Sequence, residues 1–135
     1  MQEVDAYIGL GSNLQEPQLQ IKNALQELRE IPNTHVLESS SLYKSKPMGP
    51  VDQPNFINAV AKISTFLNPE ELLTALQNIE KHHQRERVSL GRWGPRTLDL
   101  DIILYGNQQI HTNKLQIPHS GMTKREFVLI PLQEL

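Results

Sequence analysis

The chain has 135 residues, 38 % hydrophobic and 21 % charged, which fits one ordinary globular domain and neither a disordered tract nor a membrane protein. A formal net charge of −2 argues against a general nucleic-acid binder held by phosphate contacts. There is no cysteine, so disulfides and thiolate metal sites are excluded.

The N-terminus, Met1 to Asp5, carries acid and no basic n-region, so a cytoplasmic protein is expected. Val4 to Leu10 reads as a short, mostly buried strand that Gly11-Ser12-Asn13 ends. Gly9 and Gly11 are expected to give a tight turn and close backbone approach, with Asn13 capping the helix that follows. That helix runs from about Pro17 to Arg29, with Ile21, Leu25 and Leu28 as its apolar stripe, and Pro32-Asn33 closes it. His35 to Tyr43 reads as one strand with half-exposed serines. Lys44 to Pro54, with three prolines and a glycine, is expected to be loop throughout. Phe56 to Ser64 alternates as a further strand. The next helix has the clearest start: Asn68 as N-cap, Pro69 at N1, and Glu71 at N3 returning a hydrogen bond to the cap. Leu72, Leu76 and Ile79 mark its buried face, and Gln77, Glu80 and Gln84 a neighbouring stripe. Past Arg85 the pattern breaks. Thr97 to Tyr105 is a strand, Gly106-Asn107 a turn, and Gln108 to Ile110 a return strand. The order strand, helix, strand, strand, helix, strand predicts a ferredoxin-like α+β sandwich with a mainly antiparallel sheet, in one domain spanning residues 1–135.

Function has to come from the side chains that such a fold presents. In Thr97 to Ile103, alternation turns Leu98, Leu100 and Ile102 one way and Asp99 and Asp101 the other. Two carboxylates on one strand face repel each other, and a hard divalent cation removes that penalty. A bare D-x-D is more often a solvated strand face. Here four of the six arginines (Arg85, Arg87, Arg92 and Arg96) lie just upstream. Carboxylates hold Mg²⁺, Mg²⁺ holds phosphate, and arginines take the remaining phosphate oxygens, as phosphoryl transfer requires. Neither a G-x-G-x-x-G nor a G-x-x-x-x-G-K-[ST] loop occurs. Trp93, in a Gly/Pro-rich loop, suits either loop packing or stacking on a flat ring. Phe56 and Asn58, two residues apart on a strand, share a face and could take a flat ligand with amide-like edges. Phe127 follows a polar turn and His119 follows Pro118. His82 and His83 read as ordinary residues near a helix end.

The block Arg92-Trp93-Gly94-Pro95-Arg96-Thr97-Leu98-Asp99-Leu100-Asp101-Ile102 strongly resembles the 6-hydroxymethyl-7,8-dihydropterin pyrophosphokinases of folate biosynthesis. The resemblance extends to Tyr7 to Leu14, Gly49-Pro50, Asp52-Gln53-Pro54, Phe56 to Ala59, Pro69 to Leu73, Ile79-Glu80, Pro118-His119 and Arg125-Glu126-Phe127. It implies an αβα ferredoxin-like domain that moves pyrophosphate from ATP to a dihydropterin, with two Mg²⁺ ions held by Asp99 and Asp101. Arg85 and Arg96 would contact the transferred phosphates. Gln77, Glu80, Arg87, Trp93, Arg96, His119 and Arg125 would bind ATP. The pterin would lie between Phe56 and Phe127, its edge read by Asn58 and by backbone near Ser45 and Met48, with Asp99 alongside and Trp93 closing over it. An aromatic residue often follows the histidine of the family's P-H pair, where this chain has Ser120. A monomer with no nucleic-acid or membrane partner is expected. An RNA-binding module would carry the aromatic RNP1 pattern, which is missing. A two-metal nucleotidyltransferase would place its Gly-Ser turn close before the acid pair, whereas Gly11-Ser12 lies far from Asp99.

Overall fold

β1 (Val4–Ser12) alternates as its sequence demands: Ala6, Ile8 and Leu10 are buried on one face, while Tyr7 and Gly9 take the other. The computed structural model describes residues 2–13, 16–45, 55–83, 98–112, 115–118 and 135. Gly9 and Gly11 lie inside β1 rather than in a turn, because the strand continues through Ser12 on full pairing with its neighbour. α1 (Pro17–Leu28) follows, with Ile21, Ala24 and Leu28 buried. Asn13 is not its cap. Glu16 holds that position in a left-handed conformation with no side-chain cap bond, and its carbonyl accepts the N–H groups of Leu19 and Gln20.

The single strand expected over 35–43 is two. β2 (Thr34–Ser39) and β3 (Tyr43–Ser45) both pair with β4 (Phe56–Thr65), and the chain leaves the sheet between them. Ser40 explains the break: its hydroxyl accepts the Val60 N–H at 2.9 Å while its own N–H donates to Val60 O at 2.8 Å. One residue thus satisfies a β4 peptide that a continuous strand would have covered, and Ser40 is buried rather than half-exposed. Lys44 and Ser45 belong to β3, not to loop.

α2 (Pro69–His83) starts as the sequence predicts. The Asn68 side chain accepts the Glu71 N–H at 2.8 Å, and Glu71 returns by accepting the Asn68 N–H at 2.9 Å. The helices are also tied side by side. His83, nearly buried, has Nε2 2.6 Å from Glu27 Oε1 and Nδ1 paired with Gln20 Oε1, both on α1. It is a structural residue between two helices, which its place in the sequence did not reveal.

β5 (Asp99–Tyr105) closes the sheet on the far side of β1. The strand order is β2-β4-β1-β5, with every pairing antiparallel. This is the ferredoxin-like arrangement, in which each βαβ crossover leaves room for a strand of the other half. Ile103 is an extra residue against β1, since pairing jumps from Ile8–Ile102 to Tyr7–Leu104. The bulge changes parity, so Leu100 and Ile102 face the core and so does Tyr105. The expected return strand does not pair with β5; β6 (Ile110–His111) pairs instead with β7 (Gln116–Ile117).

One buried cluster joins Ala6, Ile8 and Leu10 with Ala59, Ala61 and Ile63 of β4, Leu100 and Ile102 of β5, and the apolar faces of α1 and α2. Both described helices therefore cover the same face of the sheet. Among the described residues no helix covers the opposite face.

Candidate active site

The face of the sheet turned away from α1 and α2 carries the polar residues. Four strands contribute one row across it: Tyr43 of β3 opposite Asn58 of β4, Asn58 opposite Gly11 of β1, and Gly11 opposite Asp99 of β5. The next row runs from Val60 through Gly9 to Asp101. Phe56 sits two residues before Asn58 on the same face, with Ser45 of β3 as its cross-strand partner. At ordinary strand spacing Asn58 and Asp99 are about 10 Å apart, and Asp99 and Asp101 about 6.5–7 Å apart at their Cα atoms.

Asn58 is 5 % exposed, so its amide is held rather than solvated, whereas Asp99 is half-buried and Asp101 exposed. Phe56 is half-buried, which suits a ring that presents one surface to a ligand. Between Asn58 and Asp99 stands Gly11, which has no side chain and is itself buried. A Cβ on Gly11 would stand 3.2 Å from Asn58 Oδ1 and 3.8 Å from Phe56 Cδ1. Over Gly9 the space is taken by Ile103, whose Cδ1 would lie 3.1 Å from a Cβ there. Gly11 and Tyr43 thus belong to the site's surroundings, and the sequence reading missed both in that role. The signal for Gly11 was its parity with Gly9 and with the polar positions of β4 and β5, which becomes visible only once register is known.

Glu80 reaches the site from α2. Its carboxylate accepts the Leu100 N–H at 2.9 Å, so it meets β5 between the two aspartates. Gln77, one turn earlier on α2, is exposed. The structure therefore brings Asp99, Asp101, Phe56 and Asn58 together on one face, with the Ser45 backbone opposite Phe56 and Glu80 at the margin. Arg85, Arg87, Trp93, Arg96, Met48, His119, Arg125 and Phe127 lie outside the described residues.

Two carboxylates from one strand suit Mg²⁺. Hard oxygen donors are what it takes, and it commonly keeps several waters and binds through one or two carboxylates plus substrate phosphates. Among the described residues no group of three His, Cys or acidic side chains is placed to hold a metal ion.

Comparisons with known proteins follow the same lines. The sequence profile of the 7,8-dihydro-6-hydroxymethylpterin-pyrophosphokinases matches residues 7–135. The 2-amino-4-hydroxy-6-hydroxymethyldihydropteridine pyrophosphokinase of Haemophilus influenzae is 54 % identical over 132 residues, covering 98 % of this chain and 81 % of that protein. The Pseudomonas aeruginosa protein of the same name is 50 % identical over 129 residues, covering 96 % of this chain and 78 % of its own. Among solved structures, an HPPK-DHPS in complex with substrates superposes with a TM-score of 0.72 at 14 % identity, over 99 % of this chain and 40 % of that one. Plasmodium falciparum HPPK-DHPS gives 0.71 at 17 % identity, over 98 % and 40 %. These two likenesses carry the fold alone. With the profile matched almost from end to end and half or more of the residues shared with relatives that it largely spans, the chain belongs to the 7,8-dihydro-6-hydroxymethylpterin-pyrophosphokinase family.

Proposed function

We propose that the row from Asn58 to Asp99 binds the dihydropterin and that Asp99 and Asp101 hold the metal that engages ATP. The family's reaction moves pyrophosphate from ATP to 6-hydroxymethyl-7,8-dihydropterin, leaving AMP, and this chain is a pyrophosphokinase that carries it out. The observation that supports the placement is register: two carboxylates, a buried amide and a half-buried phenylalanine meet on one sheet face around Gly11.

In this reading Phe56 supplies one stacking surface and Phe127 the other, while Asn58 pairs with the pterin's amide-like edge beside the backbone near Ser45 and Met48. Gly11 lets the ring settle close to the sheet. The hydroxymethyl group then points toward β5, where its oxygen can approach the β-phosphorus in line with the departing AMP. Arg85 and Arg96 take up charge on the transferred phosphates. Gln77, Glu80, Arg87, Trp93, His119 and Arg125 form the nucleotide side, and Trp93 closes over the site. Two Mg²⁺ ions bound by Asp99 and Asp101 would supply charge neutralisation and alignment of the phosphates. Alignment matters because fixing the two substrates in an attack geometry removes much of the entropic barrier.

The whole of residues 1–135 is read as one pyrophosphokinase domain, acting as a monomer in the cytoplasm without nucleic acid or membrane. No helix among the described residues is long and apolar enough to cross a membrane. Purified protein given Mg²⁺, ATP and 6-hydroxymethyl-7,8-dihydropterin is expected to release one AMP for each pterin diphosphate formed. Stoichiometric ADP in place of AMP would overturn attack at the β-phosphorus.

A further inference from the structure

We propose that Glu80 is a positioning residue for the Asp99–Asp101 pair, acting through the peptide N–H of Leu100; this rests on the reading of that pair as the metal-binding carboxylates. β5 is an edge strand of the described sheet, with β1 on one side only. Gly11 and Gly9 pair with Asp99 and Asp101, while the intervening N–H of Leu100 is given to Glu80 at 2.9 Å. That amide lies in the peptide unit joining Asp99 to Leu100. The Leu100 side chain is buried in the core on one side of this unit, and the carboxylate grips its N–H at the strand's free edge.

The grip is rigid at its other end. Leu72, Leu76 and Ile79 anchor α2 in the core, and Ile79 immediately precedes Glu80. A carboxylate accepting a peptide N–H makes a charge-assisted bond, roughly twice as strong as a neutral one. The peptide planes on either side of Leu100 set where the Asp99 and Asp101 side chains leave the strand, so holding one plane aims both. Groups that orient ligands in this way are commonly worth 10–100-fold in metal affinity or activity.

Three variants test this, first in the protein without substrates. Glu80→Ala is expected to raise the exchange rate of the Leu100 amide by about tenfold or more, and Glu80→Gln, whose amide oxygen still accepts, to restore most of the protection. In turnover, Glu80→Ala should lower kcat by roughly 10–100-fold, over and above any rise in the KM for ATP from the lost nucleotide contact, and Glu80→Gln should recover most of the lost kcat. Should Glu80→Ala fail to fold, Glu80→Asp, one methylene too short to reach, replaces it in both measurements. Unchanged Leu100 protection overturns the proposal. So does a loss confined to the KM for ATP that Gln leaves unrepaired, which would make Glu80 a nucleotide contact only. Asp99→Asn and Asp101→Asn run in parallel separate the two readings. Wild-type turnover in these folded variants would remove the metal assignment, whereas the Leu100 exchange result stands apart from it.

Discussion

Gly11 and Asn58 face each other across β1 and β4, and each limits what the other can become. Asn58 is buried, so any pairing it makes with a ligand is made out of water, and the loss of its amide leaves ligand groups unpaired. Asn58→Ala is expected to weaken pterin binding by about 1–3 kcal/mol and leave ATP affinity nearly unchanged. Titration calorimetry with each ligand and a melting curve check this; a stable variant with unaltered pterin affinity would take Asn58 out of the site. Gly11→Ala should act in the same direction, because its Cβ would stand 3.2 Å from Asn58 Oδ1 and press that amide out of position. At this scale the residue types at Asp99, Asp101, Phe56 and Asn58 were legible from alternation along single strands. The parts played by Gly11 and Tyr43 were not, since both depend on which residue of another strand stands opposite.

Elements were legible where their ends are local. The α2 start needs only four consecutive residues, Asn68 to Glu71, and the reciprocal bonds form as the spacing predicts. Asn68→Ala should therefore cost about 0.5–2 kcal/mol of stability, read as a lower urea midpoint with an unchanged slope. Loss of only the return bond in Glu71→Ala should cost less than loss of Asn68. The α1 start defeated the same logic, because Glu16 occupies the cap in a left-handed conformation that no side-chain pattern announces. Two further misreadings are long-range in origin. The division of β2 from β3 depends on Val60, twenty residues beyond Ser40 in sequence, giving its N–H to that hydroxyl. The bulge at Ile103 depends on pairing with β1, nearly a hundred residues earlier. His83 belongs with them, since its partners on α1 lie 56 and 63 residues away.

For the molecule as a whole, the alternation of elements was enough to predict the sheet, because two βαβ halves with right-handed crossovers leave few ways to interleave. Tyr105 ties that sheet to the entrance of α2, its hydroxyl donating to Leu67 O. Burial, reinforced by the nearby charge of Glu71, holds its phenol above the ordinary 10.0. The folded state therefore favours the protonated form. That contribution is fully present below about pH 10 and disappears as pH rises through the elevated folded value. Wild-type stability should fall more steeply above pH 10 than that of Tyr105→Phe, which has no proton to lose there. Urea unfolding of both proteins on either side of that pH checks it, and parallel curves would count against a titrating Tyr105. β5 carries a consequence of a different kind. Its two aspartates alternate with Leu100 and Ile102, so a slip of one residue against β1 would drive both carboxylates into the core and push Leu100 and Ile102 out. A half-right version of this active site has no stable home. Whatever fraction of a preparation has folded is also the fraction that can react, which makes turnover a head-count of native molecules.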